Sequence, residues 1–413
     1  MRITYVGFGD FHRYAGMKQL YHFAQEVGRN DHQTQILLAG KADSVESMDE
    51  PPLGEIVEMA FSGPRLTAEV RQRVKHFAPD ILHVWTPRFV PALAGWQLHR
   101  LTGARVIVDH EDDEEYHVVY MRRAWTQNWQ KGWRRLAVPA IVARNSARPW
   151  FQPLGKNAEA TRAAQEAFTY KRLTDAAVAH TAISPNLVAW ARCRWPHKPV
   201  HLLYPGANLD LFAPAPPDPI LQDELGLVDK SVLVYSGTMS LRIFEWFLQV
   251  LRHVKNQRND IFMVLVGEDS FRNAAEKLAY DLDLGGAYRL IGQQSYSSVP
   301  SYLSLADIVI QHPIDQANEL RLPAKLPEYL ATGKPVVTFA NGIGQSLQDG
   351  VHVRKLYTDQ PSEAAHVVLE LLDQPHQRDA LGKAARNLAR ERYDWTINGE
   401  RLVRIYAEVL KAP

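Results

Sequence analysis

The chain has 413 residues, 46% hydrophobic and 23% charged, with 47 Lys and Arg against 46 Asp and Glu for a formal net charge of +1. That length exceeds one compact core and predicts two domains, and the near-neutral balance excludes a protein whose main task is coating nucleic acid. A single cysteine, Cys193, excludes an internal disulfide or a thiolate-rich zinc site, and no apolar run approaches the roughly 20 residues that cross a bilayer, so a cytoplasmic protein is expected.

From the N-terminus, short apolar runs alternate with amphipathic stretches, the pattern of a parallel sheet with crossover helices. The first run, Ile3 to Val6, is too short for a signal peptide and reads as a strand. Gly7-Phe8-Gly9 follows it, but the third glycine of a dinucleotide fingerprint is absent and no acidic residue closes the next strand, which argues against NAD. Helical segments are expected at Gly16 to Val27 and Thr67 to His76, and strands at Thr34 to Leu38, Ile56 to Ala60, Ile81 to Val84, Val106 to Val108, Ala177 to Ala179 with Ala182-Ile183, and Val200 to Leu203.

The acidic run Glu111 to Glu115 reads as a solvated, self-repelling turn, or as a group that binds a divalent cation or supplies a base, with Asp112 the acid placed at the cleft mouth. Between Met121 and Phe151 seven basic residues stand without an acid, and Trp125, Trp129 and Trp133 recur every fourth residue. Two readings stand: an interfacial helix against anionic headgroups, or tryptophans packed into the first domain. Nucleic acid is disfavoured by the neutral whole-chain charge.

Phe212 to Pro219 holds four prolines in eight residues and reads as a stiff connector. Beyond it the plan restarts with Val232 to Gly237, Phe262 to Gly267, Tyr288 to Gly292, Ile308 to Ile310 and Val336 to Phe339. Nearly continuous apolar runs suit strands covered on both faces, and three of them end in glycine, at Gly237, Gly267 and Gly292. Open parallel sheets bind ligands at strand carboxyl ends, where a residue without Cβ lets the backbone approach a phosphate or base. Two doubly wound α/β domains facing each other across a cleft follow.

Leu322 to Val337 then places Lys325 and Glu328 in the first turn of a short helix, ends that helix at Gly333, and runs into a strand. Backbone N–H groups and Lys325 suit a phosphate, and Glu328, on the same helix face, can accept hydrogen bonds from a ribose diol.

These blocks, in this order, resemble the nucleotide-binding domain of the GT-B glycosyltransferases, in particular glycosyltransferase family 4. The resemblance rests on Tyr204-Pro205-Gly206-Ala207-Asn208-Leu209-Asp210-Leu211-Phe212, Tyr235 to Ser240, Val264 to Glu268, Ile291-Gly292 with Val299 to Leu303 and Ala306-Asp307, and Lys325 to Val337. The first half matches more loosely, through Gly16, Leu82-His83-Val84-Trp85 and Val106 to His110. Glu391 to Trp395 and the amphipathic stretch beyond look like the family's tail returning to the N-terminal domain.

The resemblance implies a GT-B architecture with an acceptor-binding domain at 1–207, a nucleotide-sugar domain at 208–390 and a returning helix at 391–413. It implies retaining transfer of a hexose or N-acetylhexosamine from a nucleotide diphosphate sugar to a glycan or lipid-linked hydroxyl, with no metal and no cofactor beyond that co-substrate. Lys325 and Arg242 would absorb charge on the leaving β-phosphate. Glu328 would hold the ribose; Gly237, Thr238, Gly267, Glu268, Gly292 and Leu326 would shape the diphosphate and base pocket. His110 would face the donor sugar, and Gly16, His83 and Asp112 would line the acceptor side. The location implied is cytoplasmic, with peripheral contact to the inner face of the plasma membrane through 121–151.

Two departures from the family's pattern matter. The first of two glutamates spaced by eight falls on Leu320, with Glu319 one residue away, so either a shifted Glu319 or a group such as Asn318, Arg321 or the backbone positions the sugar. Thr238 stands where an arginine follows the glycine, and Arg242 matches the second basic position only with one residue deleted. The rival readings are a non-hydrolysing sugar-nucleotide epimerase and a catalytically silent sugar-nucleotide-binding protein.

Overall fold

The computed structural model describes residues 1–11, 15–48, 50–112, 158–313 and 319–412. The basic tryptophan-rich stretch at 121–151, the acids 113–115 and Asn318 lie outside them. The chain forms two compact units, Met1–Tyr204 with Trp395–Pro413, and Pro205–Asp394. The breaks fall at 204/205 and 394/395, a few residues from the 207/208 and 390/391 expected.

In the first unit, β1 (Arg2–Phe8), β2 (Gln33–Ala39) and β3 (Glu55–Glu58) precede a short hairpin of β4 (Phe61–Ser62) and β5 (Arg65–Leu66). The sheet is completed by β6 (Ile81–Trp85), β7 (Arg105–His110), β8 (Ala177–Ala182) and β9 (Val200–Leu202), in the order β3-β2-β1-β6-β7-β8-β9, with every pairing parallel. The order reverses between β1 and β6, where Val6 stands opposite Val84. The expected strand at Ile56 to Ala60 is shorter at its end because the chain leaves β3 for the hairpin, which turns at Gly63 with φ of 59°. Thr67 caps the helix Ala68–Phe77 by accepting from the Val70 amide.

The last helix, Trp395–Lys411, belongs to this unit and lies on the helix Ala15–Arg29. Trp395 stacks on His22 at 4.7 Å, and Gly399 allows the approach, since a Cβ there would fall 2.4 Å from the Glu26 Cβ. Tyr406 carries the contact into the sheet. His83 Nδ1 lies 2.8 Å from its hydroxyl, His83 Nε2 is 3.1 Å from Thr181 Oγ1, and Thr181 donates to Asp109 at 2.5 Å. Because Thr181 spends its one proton on Asp109, His83 Nε2 must donate to Thr181 and Nδ1 accepts from Tyr406, whose hydroxyl also lies 3.1 Å from that of Tyr5. All five residues are buried.

The second unit holds β10 (Ser231–Ser236), β11 (Ile261–Val266), β12 (Tyr288–Gly292), β13 (Ile308–Ile310), β14 (Val336–Phe339) and β15 (Arg354–Leu356). Their order is β12-β11-β10-β13-β14-β15, all parallel, with the reversal between β10 and β13. β15 has no counterpart in the sequence reading; it is an edge strand of three residues, too short to show a period. The helix Leu241–Lys255 starts at Ser240, whose side chain accepts from the Ile243 amide, and buries Phe244, Phe247, Leu248, Leu251 and Val254 against the sheet. Each of these contributes about 1.5–3 kcal/mol of apolar burial. Among the described residues no helix is long and apolar enough to cross a membrane.

Candidate functional site

The second unit gathers its chemistry at the carboxyl end of β10, beside the reversal of strand order. Lys325 stands at the N-cap of the helix Leu326–Ala331, with Pro327 inside the first turn. Lys325 Nζ lies 3.0 Å from Glu328 Oε2, yet that oxygen makes no aligned hydrogen bond, so the contact is an ion pair by distance alone. Glu328 is buried, whereas the lysine side chain is one-third exposed. The ammonium also sits 5.6 Å from the centre of the Tyr296 ring. Backbone donors are scarcer here than the sequence suggests: the Leu326 amide is spent on Pro323 O at 2.9 Å, and Pro327 has none. Leu326 itself is fully buried, and Gly333 ends the turn with φ of 67°, as the sequence reading requires.

Tyr329 fixes this helix to the sheet. Its hydroxyl accepts from the Ser236 amide at 3.1 Å and donates to the Ser236 carbonyl, and burial pushes the phenol well above its ordinary pKa. One residue on, Gly237 faces the lysine, for a Cβ there would lie 3.7 Å from Lys325 Cγ and 2.7 Å from the Tyr235 hydroxyl. Tyr235 in turn donates to Thr238 O at 2.6 Å, and burial raises its phenol too.

The three glycine strand ends are stitched together. Gly237 N–H bonds Val266 O at 2.9 Å, and Gly267 N–H bonds Gly292 O at 3.1 Å. A Cβ on Gly267 would stand 2.1 Å from the Gly237 carbonyl oxygen, so glycine is required there by close backbone approach. Gly292 adopts φ of 90°. Thr238 and Glu268 are exposed beside these ends, and Arg242 is exposed on the first turn of Leu241–Lys255. Glu319 lies in a turn, partly exposed; among the described residues neither it nor Arg242 is bonded to Lys325 or Glu328. The sequence reading missed Tyr296 and Tyr329. Tyr329 was visible as part of the Lys325 block, but Tyr296 has no spacing that would single it out.

The first unit places its candidates differently. His83, read as an acceptor contact, is wholly enclosed, with its ring nitrogens spent on Tyr406 of the last helix and Thr181 of the sheet. His110 ends β7 as expected but is also fully buried. Its Nε2 is 3.0 Å from His180 Nδ1, and its ring stacks 5.1 Å from Trp195. Desolvation drives both imidazoles of this pair well below their ordinary range and keeps them neutral.

Glu111 and Asp112 are buried, which corrects the solvated-turn reading for these two acids. Glu111 accepts from Trp85 Nε1 at 2.8 Å and Thr86 Oγ1 at 3.1 Å, while Asp112 lies 3.2 Å from Arg88 Nη2. Gly16 makes room for this carboxylate: a Cβ there would sit 2.2 Å from Glu111 Oε2. Gly16 and Asp112 therefore both serve internal packing of charge at the carboxyl ends of the first sheet.

Residues 221–388 match the family of glycosyl transferases group 1. The chain is 25% identical over 191 residues to the alpha-D-kanosaminyltransferase of Streptomyces kanamyceticus, covering 46% of this chain and 48% of that protein. It is 25% identical over 210 residues to a GDP-mannose-dependent phosphatidylinositol monomannoside mannosyltransferase of Corynebacterium glutamicum, covering 48% and 54%. The matched stretch thus spans about half the length of these relatives. Among solved structures, Anabaena HepE in complex with UDP superposes with a TM-score of 0.71 at 13% identity over 99% of this chain and 100% of that one. A glycosyltransferase from Rickettsia africae gives 0.70 at 14% over 100% and 99%. These likenesses show the fold, that of the GT-B glycosyltransferases.

Proposed function

We propose, from the glycosyl transferases group 1 match and the Lys325 corner, that this chain transfers a hexose or N-acetylhexosamine from a nucleotide diphosphate sugar to a hydroxyl acceptor, with retention and without a metal. The observation that carries the reading is the Lys325–Glu328 pair held against Gly237 at the end of β10. Glu328, buried and with one oxygen unaligned, takes the hydrogen bonds of a ribose diol. Lys325, with a one-third-exposed side chain, swings to the β-phosphate. There the cation offsets the charge that grows as the glycosidic bond breaks. Arg242 adds a second charge, Glu319 positions the sugar, and Thr238, Glu268 and Gly292 border the diphosphate and base.

The UDP and UDP-glucose held by the Anabaena neighbour support a nucleotide sugar as the donor. The lipid substrate in the name of the Corynebacterium relative supports a lipid-linked acceptor. A cytoplasmic place against the membrane's inner face belongs to the same proposal.

Thermal-shift measurements with UDP, GDP and ADP and their sugars identify the donor, because a ligand at a hundred times its Kd adds about 2.7 kcal/mol of stability. Release of nucleoside diphosphate from that donor should fall about a hundredfold or more in Lys325→Ala and Glu328→Gln. Full turnover in either variant sinks the site, and conversion of the donor to another sugar nucleotide without acceptor makes the protein an epimerase.

A further inference from the structure

On the first unit, a cavity of about 550 Å³ opens between the β4–β5 hairpin, the helix Phe89–Thr102 and the helix Ala158–Ala176. Leu93, Trp96 and Leu101 form its floor, Phe168 stands at its mouth, and its edge carries Arg65, Arg71 and Arg100, with no carboxylate among the described lining residues. The size is that of a small-ligand site. Phe168 is 49% exposed, an uncovered aromatic at the mouth.

We infer that this cavity binds an anionic phospholipid, the acyl chain on the aromatic floor and the phosphate among the arginines. The inference goes beyond the proposed transfer reaction and does not rest on it. Several observations converge on that chemistry. The guanidinium of Arg100 lies 5.6 Å from the Trp96 ring centre and that of Arg172 5.7 Å away, with Arg172 also 5.0 Å from the Phe168 ring. These arginines lie along apolar rings rather than on acids. Among the described residues none of Arg65, Arg71, Arg100 and Arg172 forms an ion pair, while Glu69 and Asp175 on the flanking helices are committed to Arg73 and Lys171. A phosphate would meet charges that no acid among the described residues has neutralised.

The site is preformed. Gln97 holds the hairpin in place by accepting from the Leu66 amide at 3.1 Å and donating to Pro64 O at 2.7 Å. Thr169, which with Gln97 makes up the amide and hydroxyl side chains of the described lining, donates to Glu166 O at 3.1 Å. With both polar side chains engaged within the fold, the floor suits a hydrocarbon chain, whereas a peptide backbone laid there would lose its hydrogen bonds to water without replacement. An acyl chain has no hydrogen bonds to lose there.

The test is co-sedimentation of the full chain with phosphatidylcholine vesicles, with and without phosphatidylglycerol. Binding is expected only with the anionic lipid. The double variant Arg71→Gln, Arg100→Gln should lower it roughly thirtyfold, at about fivefold per arginine. Phe168→Ser should lower it with every charge kept, and UDP thermal shifts of these variants should match the parent. Short-chain phosphatidylglycerol should compete where glycerol phosphate does not. Vesicle binding unchanged in both variants, equal competition by glycerol phosphate, or a preference for RNA or an acidic peptide over vesicles would each overturn the inference.

Discussion

Replacing Gly267 by alanine perturbs the nucleotide corner without touching a charged group. The new Cβ would lie 2.1 Å from the Gly237 carbonyl oxygen, and ordinary contact starts near 3.4 Å, so the two strand ends must part by about 1.3 Å. Gly237 has little room to yield. Its amide is bonded to Val266 O at 2.9 Å, and its Cα faces the Tyr235 hydroxyl and Lys325. Overpacking of this kind costs about 1–3 kcal/mol and loss of the bond about another 1, for a total of roughly 2–4 kcal/mol. Gly267 has no left-handed backbone, so the cost is steric rather than conformational. Displacing a site by about 1 Å lowers its efficiency on the order of a hundredfold. Urea unfolding, with hydrogen exchange read at β10 and β11, measures the first effect, and nucleotide thermal shift the second. Gly285→Ala is the control, since a Cβ there meets nothing within 4 Å and should stabilise by about 0.4–1 kcal/mol. The reasoning fails if Gly267→Ala stays within about 0.5 kcal/mol of the parent and binds nucleotide equally well.

Tyr406→Phe removes the hydroxyl that joins Tyr5 to His83 and leaves His83 Nδ1 buried without a donor, so stability should drop by about 1–3 kcal/mol in urea titrations. Acid should weaken the fold through its buried histidines. Burial lowers His83 to about 3 and depresses the His110–His180 pair, so the folded state refuses protons that the unfolded chain accepts near 6.5. Their contribution is therefore complete above about pH 6.5 and is lost as pH falls toward the folded values, at about 1.4 kcal/mol per ring per pH unit. A stability profile that stays flat between about pH 6.5 and 4 would show that these rings already carry protons in the fold.

Most of the sheet was readable because strands buried on both faces write themselves as apolar runs, as Val232–Val234 and Phe262–Val266 do. Lys325, Glu328 and Gly333 were readable for a related reason: their relation is local, set by one helical turn and its end. What stayed hidden depends on distant partners. Nothing in the neighbourhood of His83 announces that Tyr406 and Thr181 will enclose it, and Glu111 looked solvated because its partners Trp85 and Thr86 arrive from another strand. Tyr296 reaches Lys325 only through the packing of a 3-10 turn.

The hydrogen-bonded pair Tyr5 and Tyr406 is separated by 401 positions. A chain emerging from the ribosome completes Pro205–Asp394 before the helix Trp395–Lys411 exists, although that helix closes the unit that was begun first. Assembly order is thereby inverted: the earlier-made sheet waits, with the apolar face meant for Tyr406 and Leu402 open, until synthesis reaches the last helix. Chaperone demand during translation should therefore centre on the N-terminal unit, and a chain stopped after Asp394 should present a finished second unit tethered to an unfinished first.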